Sequence, residues 1–153
     1  MSEAPSFDTT AAHKFFSTDN FNKTWDYIEK SSRSPEEDLV MLHTAIASLW
    51  HWTQRGDATD ENLSIGYWQV SRVYNLIGQP NNARTYGLLS LKYARDLSPF
   101  LRGYAYETLA RSEMQAGNRV ALYYYLDKAR EMAQLIAGEE DRRLLLKDLE
   151  SIQ

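Results

Sequence analysis

Trp68 and Arg72 stand four residues apart, and so do Glu107 and Arg111. On a helix that spacing puts both members of a pair on one face. Arginine offers a planar fork that matches carboxylate oxygens, and tryptophan offers a flat apolar surface. Side by side, the two pairs can hold an acidic or C-terminal segment of a peptide. The same residues also suit an internal network, with Glu107 paired to Arg111 and Arg72 stacked on Trp68. An intrahelical pair of that kind contributes only about 0.2–0.5 kcal/mol and requires no ligand. At the level of sequence both readings stand.

The other candidate residues point to structure. His43 and His51 lie eight residues apart in one helical segment, a rise of about 12 Å, too far for one metal ion. His13 is remote from both, so the three are expected to hydrogen-bond at helix packing surfaces. Asp57, Asp60 and Glu61 cluster, but without the alternate ligands and turn glycine of a calcium loop. They are expected to cap the next helix, as Glu139, Glu140 and Asp141 are theirs. In the run Tyr123-Tyr124-Tyr125, Tyr125 fits a core stripe with Leu122, Leu126 and Ala129. Tyr123 and Tyr124 are left for a neighbouring helix or a partner. No phosphate loop, GxSxG or HExxH is present. No catalytic residue, metal or cofactor is therefore assigned, although a carboxylate enzyme needs no motif.

Composition narrows the classes further. The 153 residues are 43% hydrophobic and 25% charged, enough for one domain with a sizeable core. The net charge of −4, with no long basic run, argues against nucleic acid as a partner. There is no Cys, which excludes disulfides, thiolate metal sites and a Cys nucleophile. That absence fits a cytoplasmic protein. No apolar stretch is long enough to span a bilayer, and no targeting segment stands at the N-terminus.

The elements that must position these side chains are helices. Ser34-Pro35-Glu36-Glu37 is a Ser N-cap, a Pro at the first helical position and acids in the first turn. Leu39, Leu42, Ile46, Leu49 and Trp50 follow at helical spacing. Ser98-Pro99 opens another helix in the same way. Gly78 and Gly117 each stand just past a periodic segment, where a left-handed residue ends a helix. The pattern predicts about eight helices, near 9–17, 20–31, 35–55, 60–77, 80–97, 99–116, 119–136 and 139–151. Short connections make successive helices antiparallel neighbours. The chain reads as one domain over 1–153, frayed over 1–8.

A shift of 39 residues aligns the chain with itself. Tyr67 falls on Tyr106, Arg72 on Arg111, Gly78 on Gly117, Tyr86 on Tyr125 and Ala94 on Ala133. Val70, Ser71, Ser90 and Leu97 fall on Leu109, Ala110, Ala129 and Ile136. Each unit, 64–97 and 103–136, reads as helix, glycine turn, helix. Helical spacing accounts for the apolar matches, but not for the paired arginines and glycines.

These residues resemble tetratricopeptide repeats (TPR), whose units set a large residue, a small one at the helix crossing, a Tyr, a turn and a second-helix Ala. The first unit supplies Tyr67, Val70, Ser71, Tyr74, Gly78 and Ala83, and the second Tyr106, Leu109, Ala110, Gly117 and Ala129. The match departs in its period of 39 against about 34, in Glu113 where Tyr is expected, and in the missing closing Pro. Residues 20–55 read as a diverged first repeat, and 139–151 as the capping helix of such an array. The segments His51-Trp52, Trp68–Tyr74 and Ala105-Tyr106-Glu107 are similar to a group of uncharacterised bacterial proteins of this type. The resemblance implies a groove lined by Trp68, Arg72 and Asn75 in one unit and Tyr104, Glu107, Arg111 and Met114 in the next.

The sequence thus predicts an all-α, right-handed stack of antiparallel helical hairpins. Its expected function is to bind a protein or peptide, acidic in character, on a concave surface formed by Trp68, Arg72, Asn75, Tyr104, Glu107 and Arg111. The alternatives are a small-molecule sensor, with Trp52, Trp68, Tyr74 and Tyr106 around the ligand, and a carboxylate-dependent helical enzyme. Ser71, Gly87 and Ala110 are expected where helices cross closely.

Overall fold

Capping chemistry starts the helices where the sequence places it. A computed structural model describes residues 3, 4 and 6–152. Among them are seven helices and no strand: α1 Thr9–Ile28, α2 Pro35–Thr53, α3 Asp60–Leu76, α4 Pro80–Ala94, α5 Pro99–Ala116, α6 Arg119–Leu135 and α7 Glu139–Glu150. At α2 the Ser34 hydroxyl accepts from the Glu37 amide at 3.1 Å, and the Glu37 carboxylate accepts from the Ser34 amide at 3.0 Å. Thr59 and Asn62 make the same reciprocal box at α3. Each box satisfies amides that the first turn leaves without carbonyl partners. The expectation of a frayed N-terminus falls partly on Met1, Ser2 and Pro5, which lie outside the described residues.

The expected break between the first two helices is absent. Residues 9–28 form one helix, because the polar run around Ser17–Asn20 bonds back onto its own helix instead of ending it. The Ser17 hydroxyl donates to the Lys14 carbonyl at 2.9 Å, Asn20 Nδ2 to the Phe16 carbonyl at 2.9 Å, and the Thr24 hydroxyl to the Asn20 carbonyl at 2.8 Å. Such bonds satisfy short polar side chains without breaking the ladder.

Adjacent helices pack in pairs, α1 on α2, α3 on α4 and α5 on α6. α7 covers α5 and α6. This is the arrangement of a stack of helical hairpins. The repeat reappears in its geometry. Gly78 and Gly117 both take φ 74°, a left-handed conformation that costs a Cβ-bearing residue about 1–2 kcal/mol. The Gln79 amide donates to the Tyr74 carbonyl at 2.9 Å, and the Asn118 amide to the Glu113 carbonyl at 3.0 Å. The ring pairs Tyr67–Tyr86 and Tyr106–Tyr125 lie 6.1 and 6.3 Å apart, tilted by 36° and 31°.

Small residues admit the close crossings. A Cβ on Gly87 would stand 2.9 Å from Leu109 Cδ2 and 3.3 Å from Ser71 Oγ. Ser71 and Ala110 are fully buried. The larger buried apolar residues gather in two clusters, one built on Met41, Leu49, Val70 and Val73, the other on Leu122, Leu126, Leu145 and Leu149. Ser71, Asn75 and Thr108 meet where α3 packs on α5: Ser71 Oγ and Thr108 Oγ1 are 2.6 Å apart, and Asn75 Nδ2 donates to the Thr108 carbonyl at 3.2 Å. Where the second unit replaces tyrosine by Glu113, that buried carboxylate takes both arms of the Arg84 guanidinium and ties α5 to α4.

On α2 the apolar stripe divides. Met41, Ala45 and Leu49 are buried, whereas Leu39, Ile46 and Trp50 are 55%, 36% and 53% exposed. No helix among the described residues is long and apolar enough to cross a membrane.

Candidate functional site

The same face of α3 and α5 that carries the two pairs opens on a cavity of about 440 Å³. Trp25 of α1 and Leu144 and Asp148 of α7 complete it. Trp25 stacks on Trp68 at 5.9 Å and 29°. Tyr104 meets Trp68 edge-on at 5.9 Å, and Phe100 meets Tyr104 at 5.0 Å. With Ile65 and Leu101 these rings make a predominantly apolar wall.

Most of the polar groups on that wall are already engaged. The Arg111 guanidinium donates to the Glu107 carboxylate on its own helix, to the Asp148 carbonyl at 3.1 Å and to the Ser151 hydroxyl at 2.8 Å. Glu107, nearly fully buried, also accepts from Trp68 Nε1 at 3.4 Å. The Tyr104 hydroxyl donates to Asp148 Oδ2 at 2.7 Å. Burial, then the bond to Asp148, pushes the Tyr104 hydroxyl far above the ordinary tyrosine range. Ser64 and Ser90 bond to each other's carbonyls at 3.1 and 2.9 Å.

Arg72 differs. Among the described residues its guanidinium has no hydrogen bond and no ion pair within 4.0 Å. Burial lowers its pKa, and the nearby charge of Arg111 lowers it further, against the weaker pull of Glu107 and Asp148. The cause is visible in the repeat. The residue four before Arg111 is Glu107, and the residue four before Arg72 is Trp68. Trp68 supplies a ring but no carboxylate, and that ring is stacked on Trp25.

Of the six residues predicted to form the site, Trp68, Arg72, Tyr104, Glu107 and Arg111 line the cavity. Asn75 does not. It is buried between α3 and α5, where its amide nitrogen bonds Thr108 and its backbone carbonyl accepts from Gln115 Nε2 at 2.6 Å. One turn beyond Arg72, a first-helix residue has already passed under the neighbouring hairpin. Met114 likewise packs into the C-terminal core cluster. Trp25, Phe100, Leu144 and Asp148 also line the cavity, outside the six positions that the sequence predicts. Trp25 belongs to the most diverged hairpin and Asp148 to the cap, so the repeat gave no register for either.

The four aromatics suggested for a sensor do not share one space. Trp68 faces the cavity. Trp52 is covered by the Arg55 guanidinium 3.9 Å from its ring, Tyr74 packs on Tyr86 at 5.5 Å, and Tyr106 packs on Tyr125. Two carboxylates, Glu107 and Asp148, line the cavity, and each is held by donors from its neighbours. Outside the cavity, His13 Nδ1 and His51 Nδ1 are 2.8 Å apart, joining α1 to α2. Burial, and then the charge of His13, lowers the pKa of His51. His43 instead lies exposed on α2. Asp57 is no cap: Arg55 grips both its oxygens at 2.8 and 2.9 Å and holds its pKa down to about 2. No group of three or more His, Asp or Glu residues suited to a metal ion occurs among the described residues. Tyr123 and Tyr124 are exposed, and Tyr125 is half-buried against Tyr106.

No family model, curated protein or solved structure matches this chain.

Proposed function

We propose that the chain is a recognition module that binds a carboxylate-bearing segment of a partner protein or peptide in the cavity between α1, α3, α5 and α7. The observation that carries this reading is Arg72. A half-buried guanidinium without a partner is costly, because burial weakens its hydration and nothing replaces it. A carboxylate entering the cavity would supply two acceptors to the fork. The stacked Trp25 and Trp68 and the ring of Tyr104 offer apolar surface for the chemical group beside that carboxylate. We read the hairpins as TPR-like, of the bacterial type named above. Support comes from the 39-residue repeat, the equivalent glycine turns and the equivalent tyrosine pairs.

A small-molecule sensor is the second reading. It is favoured by the size of the cavity, about 440 Å³, within the roughly 300–1,000 Å³ usual for small-molecule sites, and by its aromatic wall. In that case the ligand is a compact organic acid.

Indole fluorescence separates the two, since Trp25 and Trp68 both line the cavity. The chain is titrated with acidic peptides and, separately, with small aryl and alkyl carboxylates. Quenching by peptides, weakened by salt and lost in Arg72→Gln, is the expected result. Quenching by small acids alone selects the sensor. An Arg72→Gln chain that responds to both like the wild type overturns the reading.

A further inference from the structure

We propose that a second cavity, which shares a wall with the first, is a subsite for the uncharged main chain of the ligand whose carboxylate meets Arg72. The inference rests on that reading of Arg72 and adds the ligand's length and its chemistry away from the charge. The second cavity has a volume of about 280 Å³ and is lined by Thr18, Phe21 and Asn22 of α1, Trp52 of α2, and Asn62 and Ile65 of α3. Ile65 lines the first cavity as well. Thr18, Phe21, Asn22 and Trp25 follow one another at helical spacing on one face of α1, and Asn62, Ile65, Trp68 and Arg72 do so on α3. Thr18 and Asn22 share the second cavity with Asn62 and Ile65, and one turn further on Trp25 stacks on Trp68 in the first. Residue numbers therefore rise together along the two helices. The two faces are the sides of one trough that leads from the second cavity to Arg72.

The lining selects the occupant. No charged side chain lines the second cavity. Asn62 Oδ1 is taken by the Thr59 amide and hydroxyl, at 3.0 and 2.8 Å. Its Nδ2, the whole Asn22 amide and Trp52 Nε1 make no hydrogen bond among the described residues. The Thr18 hydroxyl already donates to the carbonyls of its own helix, so toward a ligand it only accepts. Uncharged donors and acceptors beside the rings of Phe21 and Trp52 suit peptide groups, each of which brings one N–H and one C=O. A second carboxylate would find no free cation here. The nearest guanidinium, that of Arg55, lies on the Trp52 ring and is committed to Asp57. The spacing sets the length. From Asn62 to Arg72 is ten residues of α3, a rise of about 15 Å. An extended chain covers about 3.3 Å per residue, so about five residues separate the carboxylate from the second subsite.

Calorimetric titration of the full chain with a length series tests the proposal. The probes are acetyl-Phe, acetyl-Ser-Gly-Phe and acetyl-Gly-Ser-Gly-Ser-Gly-Phe, each with a free carboxylate and no other charge. The two shorter probes are expected to bind alike, and the longest at least about tenfold tighter, because it alone spans both cavities. Asn22→Ala is expected to weaken the longest probe about fivefold and to leave acetyl-Phe unchanged. Asn22 is exposed on α1 and alanine favours helix, so the fold is kept. Arg72→Gln is expected to weaken all three probes. Equal affinities along the series, all lost in Arg72→Gln, overturn the second subsite and leave the reading of Arg72 standing. A gain with length that Asn22→Ala does not reduce, or a loss in Asn22→Ala that is the same for all three, overturns the assignment to this cavity. Probes that do not bind, or that bind Arg72→Gln as they bind the wild type, overturn the reading of Arg72 and the subsite with it.

Discussion

Arg72 and Arg111 hold the same position in successive hairpins, and only Arg111 is tied to a carboxylate. The difference lies one helical turn earlier, where Glu107 of one unit replaces Trp68 of the other. One arginine is thereby built into the protein and the other is left facing the cavity.

Their substitutions are expected to diverge. Arg111→Gln leaves the buried Glu107 carboxylate without its cation and frees the end of α7 from α5. Breaking one side of a buried pair costs about 3 kcal/mol. Arg72→Gln removes an unpaired, desolvated charge and should leave stability unchanged within about 1 kcal/mol, or raise it. Urea midpoints measure both. Equal losses would mean that Arg72 has a partner in solution.

The two turn glycines make a matched pair. Both have φ 74°, and a Cβ at either would meet nothing within 4 Å. The cost of Gly78→Ala and of Gly117→Ala is therefore backbone strain alone, about 1–2 kcal/mol each. Thermal unfolding should show similar losses for the two. A large loss at one position only would mean that the hairpins do not turn alike.

The burial of His51 makes stability depend on pH. An unfolded His51 takes up its proton near pH 6.5, and the folded one only at lower pH. Below about pH 6.5 the unfolded chain therefore binds more protons, so stability falls as the solution is acidified through that range. The contribution is complete above about pH 6.5. In His51→Gln the amide can still meet His13 but does not titrate. Its Tm should decline less than that of the wild type between about pH 7.5 and about pH 5.5. Parallel declines would remove His51 from the account.

The hairpins were legible because their signals are local. A glycine that ends a helix, a Ser-Pro that starts one and an alanine at a crossing act within a few residues. The paired arginines added a longer signal, which placed Trp68, Arg72, Glu107 and Arg111 on one wall. Trp25 and Asp148 were not legible. They reach the cavity through the packing of α1 and α7, whose sequences repeat nothing. The break expected near Ser17 failed for a different reason. Short polar residues serve as helix caps, but they also bond back to a carbonyl one turn earlier, and residue type alone does not distinguish the two uses. The stripe on α2 misled in a third way. Leu39, Ile46 and Trp50 follow the same helical spacing as the buried Met41, Ala45 and Leu49, and periodicity does not say how many faces of a helix are covered.

The meeting of Ser71, Asn75 and Thr108 between the two apolar clusters bears on how the stack comes apart. Hydrophobic contact does not discriminate between registers, and two similar hairpins can slide by a turn and still bury similar area. Hydroxyl and amide bonds across α3 and α5 form in one alignment only. Because the layer separates two clusters that each have their own contacts, the chain has a natural line of parting. Amide protons of α2 and α3 should exchange with solvent as one set and those of α6 and α7 as another, each with its own opening free energy. The cavity sits across that line. Anything bound in it holds the two halves together, so a ligand of this protein would be felt as slower exchange at both ends of the chain.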